Sequence, residues 1–281
     1  MKVSISVTDY GWPDLAVHLG RIAEAADESG VDTLWVADHL LQADPHRTID
    51  GAMLEAGTTL GFLAARTRRI RLGAMVTGAT FRPPAVTVKA VTTLDVLSGG
   101  RAWFGIGAGH HEGEARAMDL PFPPTAERFE RMAEIVRLAL HMWSGEGGPF
   151  EGKHYHLENP VSSPQPVRRP PILIGGAGER KTLRLVARYA DACNVFDIPD
   201  GGRTIKHKLD VLARHCEDLG RPSDDITKTV STRLFPGETA EAFAERCAAL
   251  GELGLDHVVV LSPEPWTEDG VATVAAAAEH N

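Results

Sequence analysis

Asp38 and His39 stand side by side directly after an apolar run, Asp32–Ala37. A carboxylate next to an imidazole can orient it, and histidine gains or loses a proton near neutral pH, so the pair suits proton transfer. The same two residues would also serve as a surface pair capping a helix, and one histidine does not choose between the readings. A second stretch, Arg101–Gly113 (R-A-W-F-G-I-G-A-G-H-H-E-G), starts apolar and breaks into Gly105, Gly107 and Gly109 before His110, His111 and Glu112. Small residues at a strand end let a flat or anionic group approach the backbone. A third stretch, Gly175–Glu179 (G-G-A-G-E), runs into a helical pattern whose first N–H groups would suit a phosphate. Arg180, Lys181 and Arg184 follow and would either add positive charge for an acidic tail or form a solvated face. Gly73 and Gly78 in Leu72–Phe81 mark a bulge, a close backbone approach or a plain strand end.

Other chemistries lack their patterns. His110, His111, His154 and His156 match neither H-E-x-x-H nor a paired Cys/His spacing, so no metal is expected. The chain has no G-x-S-x-G and no phosphate loop ending in G-K-[ST]. Cys193, Cys216 and Cys247 are far apart and odd in number, which suits a reducing compartment better than a disulfide framework. The 281 residues are 43% hydrophobic and 24% charged, an ordinary globular balance. A net charge of -9 argues against general nucleic-acid binding, which needs a basic face. The opening M-K-V-S-I-S-V reads as a strand with no long apolar leader, and no stretch approaches a membrane span. A cytoplasmic protein is expected, acting on a small molecule and on neither nucleic acid nor membrane.

The elements that must position these residues alternate. Strand patterns fall at Lys2–Val7, Asp32–Ala37, Ile70–Val76, Ala102–Ile106, Ile172–Ile174, Ala192–Phe196, Thr227–Leu234 and His257–Leu261. Helical patterns fall at Asp14–Ser29, Leu54–Arg66, Pro83–Leu97, Glu127–Trp143, Glu179–Tyr189, Thr204–Leu219, Ala240–Leu253 and Glu268–His280. Eight strand–helix alternations predict an α/β fold, a (β/α)8 TIM barrel forming one domain over residues 1–281. Between strands four and five an insertion excursion, about 109–171, carries a Gly/Pro/aromatic section, Gly145–Pro171, that looks like a cover. The alternative, an open doubly wound sheet, would place G-x-G-x-x-G after the first strand, where T-D-Y-G-W stands instead.

In such a barrel, chemistry sits at the C-terminal ends of the strands. Asp38-His39, Ala108–Gly113 and Gly175–Glu179 all fall there. Trp12, Phe81, Phe196 and Trp266 fall nearby and are candidates for a partly apolar substrate pocket. The basic clusters Arg66, Arg68, Arg69, Arg71 and Arg168, Arg169 fall at the opposite end and read as solvated.

Five motifs together resemble one family: L-W-V-A-D-H, I-R-L-G-A-M-V-T…F-R-P-P-A-V, L-S-G-G-R-A-W-F-G-I-G-A-G, F-E-G-K-H-Y and P-P-I-L-I-G-G-A-G-E-R-K-T-L-R-L-V-A-R-Y-A-D-A. The chain is similar, from Met1 to about Leu261, to the bacterial luciferase-like monooxygenase superfamily. Within it, the chain most resembles the branch that uses the deazaflavin coenzyme F420. That resemblance implies a (β/α)8 barrel with an excursion and a hydride transfer between coenzyme F420 and a small organic substrate. His39 would be the catalytic residue, near the reactive edge of the ring, with Asp38 beside it. Met75-Val76 would hold a non-prolyl cis peptide in a bulge against the ring, with Thr77 next to it. Ala108, Gly109 and His110 would run along the cofactor's chain, and Gly175, Gly176, Ala177, Gly178 and Glu179 would hold its phosphate. In the sugar-phosphate dehydrogenase branch an acid follows the glycine of the strand-four loop; here that position is His110, and an asparagine often seen further on is Gly113. This departure argues against a glucose-6-phosphate-type substrate.

Two other functions fit the same barrel. One is an FMN-dependent monooxygenase of the luciferase-like type, and the other is a cofactor-binding barrel without turnover of its own. The resemblance also implies a homodimer through helices two and three, where Leu54–Leu63 and Val86–Leu97 are rich in small apolar residues.

Overall fold

The computed structural model describes residues 1–44 and 47–279. Its strands, in chain order, are Lys2–Val7 (β1), Thr33–Val36 (β2), Arg71–Ala74 (β3), Thr77–Gly78 (β4), Phe104–Gly107 (β5), Phe150–Glu151 (β6), His156–Leu157 (β7), Ile172–Gly175 (β8), Ala192–Phe196 (β9), Thr227–Arg233 (β10) and His257–Leu261 (β11). The helices are Leu15–Glu28 (α1), Ala56–Arg66 (α2), Pro84–Ser98 (α3), Glu112–Ala117 (α4), Thr125–Ser144 (α5), Thr182–Tyr189 (α6), Arg203–Asp218 (α7), Ala240–Glu252 (α8) and Glu268–Glu279 (α9). His280, expected to end the last helix, lies outside the described residues.

The main sheet is parallel and runs β3-β2-β1-β11-β10-β9-β8-β5-β4. Its two ends meet. Leu72 on β3 bridges to Ala102 just before β5, and Thr77 on β4 pairs with Ile106 on β5. β3 and β4 are therefore two halves of one barrel strand, interrupted at Met75-Val76, whose peptide is cis. The expected third strand, Ile70–Val76, is shorter and broken there, and the expected (β/α)8 barrel is present.

Alternation along each strand separates two environments. Outward residues such as Val3, Ile5, Leu34, Val36, Val258 and Val260 pack on the surrounding helices, as do Phe104, Ile106, Ile172 and Ile174. Each such fully buried side chain contributes about 1.5–3 kcal/mol. Inward residues Trp35, Trp103, Leu173, Ala192 and Val259 fill the barrel, with Met75 and Val76 packed on them. The inner face has little room. A Cβ at Gly107 would meet Val76 Cγ2 at 2.7 Å, and one at Gly175 would meet the same atom at 2.8 Å. Gly105 faces the Ala74 carbonyl even more closely. These three glycines make room for the barrel's own Ala74–Val76 segment, a use of small residues that the sequence did not suggest.

The excursion is more structured than expected. Besides α5 it contains the short helix α4 and the antiparallel pair β6–β7. Glu134 on α5 is buried and accepts from the N–H groups of Lys153, His154 and Tyr155, which ties the excursion down. At the opposite end of the barrel, the basic clusters are only partly solvated. The Arg71 guanidinium stacks 4.3 Å from the Trp103 ring, and Arg169 pairs with Asp191 at 2.6 Å.

Candidate active site

Strand ends place a cavity of about 590 Å³ at the C-terminal mouth of the barrel. Its floor is polar: Ser6 from β1, Asn194 from β9 and Ser231 from β10. The Asn194 amide donates to Ser231 Oγ at 2.9 Å, and its Oδ1 accepts from Thr229 Oγ1 at 2.8 Å. Its walls hold Met75, Val76, Gly107, Ala108, Gly109 and His110 on one side and Gly175, Gly176, Ala177, Gly178 and Thr182 on another. Phe81, Phe129, Phe196 and Leu261 supply apolar surface. Among the described residues, no lysine or arginine lines it.

His39 enters this cavity from the end of β2. Its Nδ1 lies 2.7 Å from Glu114 Oε2, with the imidazole 20% exposed and the carboxylate fully buried. The other carboxylate oxygen, Oε1, accepts from the backbone N–H groups of Leu40 and Leu41. Burial pushes the Glu114 carboxyl upward, but the bonds from His39, Leu40 and Leu41 outweigh it and hold its pKa below the usual range. The His110 ring sits edge-on to His39 at 5.5 Å and the His111 ring at 6.2 Å. Burial lowers the His110 pKa, and His39 and His111 lower it further.

Asp38 lines the cavity but does not orient His39. Its carboxylate is taken by Arg82, at 2.7 Å to Nη1 and 2.8 Å to Nη2. Arg82 also pairs with Glu55, whose carboxylate caps α2 by accepting from Gly57 and Thr58. Burial raises the Glu55 pKa, yet these bonds bring it down to about 2. The neighbour in sequence and the neighbour in space are thus different acids.

Other expected residues are placed elsewhere. Thr77 borders a separate cavity of about 380 Å³ behind the barrel wall, shared with Asp38 and Arg82. Glu179 points away towards α7, pairing with Lys208 at 2.6 Å and His207 at 3.1 Å. The helix expected to begin there begins at Thr182, after the glycine turn. Trp266 is buried in the core, with its Nε1 donating to the Ser6 carbonyl at 2.9 Å. Trp12 donates to the Trp266 carbonyl at 3.0 Å. The two tryptophans join the first and last strands and do not line the cavity, whereas Phe81 and Phe196 do. Glu114, Arg82, Thr182 and the polar floor were not singled out in the sequence. The only signal for Glu114 was a carboxylate in the first turn after the glycine run.

The slot suits a planar group with an anionic tail. The Met75-Val76 segment forms one wall, and the Gly175–Gly178 turn leads to the N–H end of α6. A Cβ at Gly178 would stand 2.9 Å from Thr182 Oγ1, so the turn is kept small. Fold and site together define a parallel (β/α)8 barrel with a carboxylate-anchored imidazole in a cleft at its C-terminal mouth.

Residues 9–279 match the family described as luciferase-like monooxygenase, and the chain belongs to that family. The F420-dependent glucose-6-phosphate dehydrogenase of Kineococcus radiotolerans is 34% identical over 230 residues, covering 80% of this chain and 66% of the relative. The chain thus spans about two thirds of the length of the curated relatives it matches. An F420-dependent secondary alcohol dehydrogenase, solved with an F420-acetone adduct, superposes with a TM-score of 0.83 at 16% identity, covering 99% of this chain and 98% of that one. A monooxygenase from Streptomyces bottropensis superposes with a TM-score of 0.80 at 20% identity, covering 100% of this chain and 98% of that one. Both share the barrel fold.

Proposed function

We propose that this chain is a coenzyme F420-dependent oxidoreductase that moves a hydride between the deazaflavin and a small, uncharged organic substrate. The observation that carries this reading is the meeting, in one slot, of His39, the Met75-Val76 wall and the Gly175–Gly178 turn. The coenzyme supplies the hydride chemistry; the chain binds, orients and handles the proton. His39 serves the proton. Met75, Val76, Ala108, Gly109 and His110 lie along the cofactor, and Gly175, Gly176, Ala177 and Gly178 take its phosphate at the start of α6. Asp38 stiffens the wall through Arg82, and Phe81 and Phe196 shape the substrate end. The F420 dependence of the glucose-6-phosphate dehydrogenases that this chain resembles supports the choice of cofactor.

A phosphorylated sugar fits this reading poorly. The cavity offers it no cation among the described residues, and the one anion-friendly helix end is assigned to the cofactor. Fluorescence titration of the purified protein with coenzyme F420 and with FMN tests the reading. Saturable quenching by the deazaflavin is expected. Tight FMN binding with no response to the deazaflavin would refute it and favour oxygen chemistry.

The same protein is read as a homodimer through α2 and α3. Val86 and Leu97 on α3 are 54% and 74% exposed and border an apolar groove that also takes in Val161. Light scattering at micromolar concentration is expected to give a two-chain mass. A reducing, cytoplasmic setting is supported by three free, buried cysteines. Burial pushes the Cys193 thiol up to about 12 and that of Cys247 up to about 11, which leaves both unreactive. No described helix is long and apolar enough to cross a membrane.

A further inference from the structure

We infer that Glu114 is a positioning residue that sets opposite tautomers on two neighbouring histidines, leaving Nε2 of His39 as a proton acceptor facing the cavity. This rests on the functional reading above only for its catalytic consequence. The tautomers follow from the bonding alone.

An ionised carboxylate accepts hydrogen bonds and donates none. Glu114 is held in that state by the bonds it receives, so the nitrogen 2.7 Å from its Oε2 must carry a hydrogen. That nitrogen is His39 Nδ1. A neutral imidazole has one N–H, so Nε2 then carries the lone pair. No described protein group bonds to Nε2, and the ring lines the cavity. The backbone of the same residue makes the opposite demand on His111. The Glu114 N–H donates to His111 Nδ1 at 2.9 Å, capping α4. His111 must therefore keep its hydrogen on Nε2. One residue on a six-residue helix fixes both rings, through its side chain and its main chain.

The consequence is directional. With an alcohol in the cavity, His39 Nε2 would accept the O–H proton, and a bound deazaflavin would supply the two-electron acceptor for the hydrogen on carbon. The alcohol loses two electrons, and the imidazolium formed at His39 is stabilised by Glu114 at 2.7 Å. In reverse, the imidazolium returns the proton to a carbonyl oxygen. The acid of this site comes from α4, not from the strand-four loop position that His110 occupies.

Glu114→Gln gives a sharp test. Its single oxygen is expected to stay with the Leu40 and Leu41 N–H groups, which turns the amide N–H towards His39 Nδ1. The His39 hydrogen then moves to Nε2, and the acceptor becomes a donor. Long-range proton–nitrogen NMR of histidine-labelled protein, without cofactor, reads this directly. The wild type is expected to show Nδ1–H on His39 and Nε2–H on His111. The variant is expected to flip His39 alone, because the main-chain bond to His111 persists; a merely structural disturbance would move both. With cofactor, kcat is expected to fall by about 10³–10⁴ with little change in KM, the scale of an enforced wrong tautomer in a hydrolase triad. Nε2–H on His39 in the wild type would overturn the assignment even if the variant fails to fold. So would an unflipped variant, or a flipped one that keeps kcat within tenfold. Correct tautomers in a protein that binds no deazaflavin would sink the functional reading and leave the positioning role standing.

Discussion

Asp38 and His39 are adjacent in the chain and part company in space. Consecutive side chains leaving a strand turn to opposite sides, so one residue's carboxylate meets Arg82 while the next residue's imidazole meets Glu114. His39 was legible in the sequence through its place at a barrel strand's C-terminal end together with the family resemblance carried by L-W-V-A-D-H. Its partner was not legible. Glu114 lies 75 positions away on a short helix, and nothing in the sequence says which of several carboxylates folds back onto the strand end. Asp38 was the natural guess, and the barrel's geometry gives it another task. His39→Asn tests the residue's own share. Loss of a positioned acid–base group costs about 10²–10⁴ in rate, so kcat is expected to drop at least a hundredfold. Deazaflavin binding, read by fluorescence, is expected to stay close to wild type. Undiminished turnover would put the chemistry elsewhere, and a wild type that binds cofactor but turns nothing over would leave a carrier barrel.

At the scale of elements, what holds the site is the way the ends of β2, β4 and α2 are tied. Asp38 follows β2, Arg82 follows β4, and Glu55 caps α2, so one guanidinium joins three elements beside the cavity. The Asp38 carboxylate is fully buried, and it would be left unpaired if Arg82 lost its charge. Breaking such a pair from one side costs about 3–5 kcal/mol. Arg82→Met is therefore expected to destabilise the fold by about 3 kcal/mol, or about 6–12 °C in thermal unfolding. Adding Asp38→Asn to it is expected to restore part of the loss, because no lone charge remains; a double variant as unstable as the single one would refute this account. The sequence announced the strands and helices within a few residues, since hydrophobic period and Gly/Pro stops carry that information. It did not announce where elements break for reasons of space. Gly107 and Gly175 line the cavity and, in addition, leave the space that Val76 occupies. The start of α6 slipped to Thr182 because the glycine turn extends to Gly178 and the helix forms only after it.

For the whole molecule, eight strand–helix alternations were enough to name the barrel, but not how its first and last strands are locked. Trp12 and Trp266, expected in the pocket, are part of that seam at the catalytic end. At the other end, His257 on β11 is bonded to Ser4 on β1 and is 1% exposed. Burial pushes its pKa down from 6.5 to about 4, and the positive charges of Lys2 and Arg71 act in the same direction against Asp32 and Asp256. In the unfolded chain the imidazole takes a proton near 6.5, whereas in the barrel it stays neutral until about 4. Between these values the unfolded state holds more protons, so acidification favours unfolding. The stability this group contributes is complete above pH 6.5, is lost as pH falls towards 4, and changes no further below that. At about 1.4 kcal/mol per unit, the full loss is about 3 kcal/mol. Other groups titrate in the same window, so the informative quantity is a difference between proteins. Urea unfolding of the wild type and of His257→Gln at pH 7 and pH 4.5 isolates it. The wild type is expected to lose about 2–3 kcal/mol more than the variant between the two pH values. Equal losses would mean that His257 takes up its proton in the folded barrel, and that the seam opposite the active site carries no sensitivity to acid.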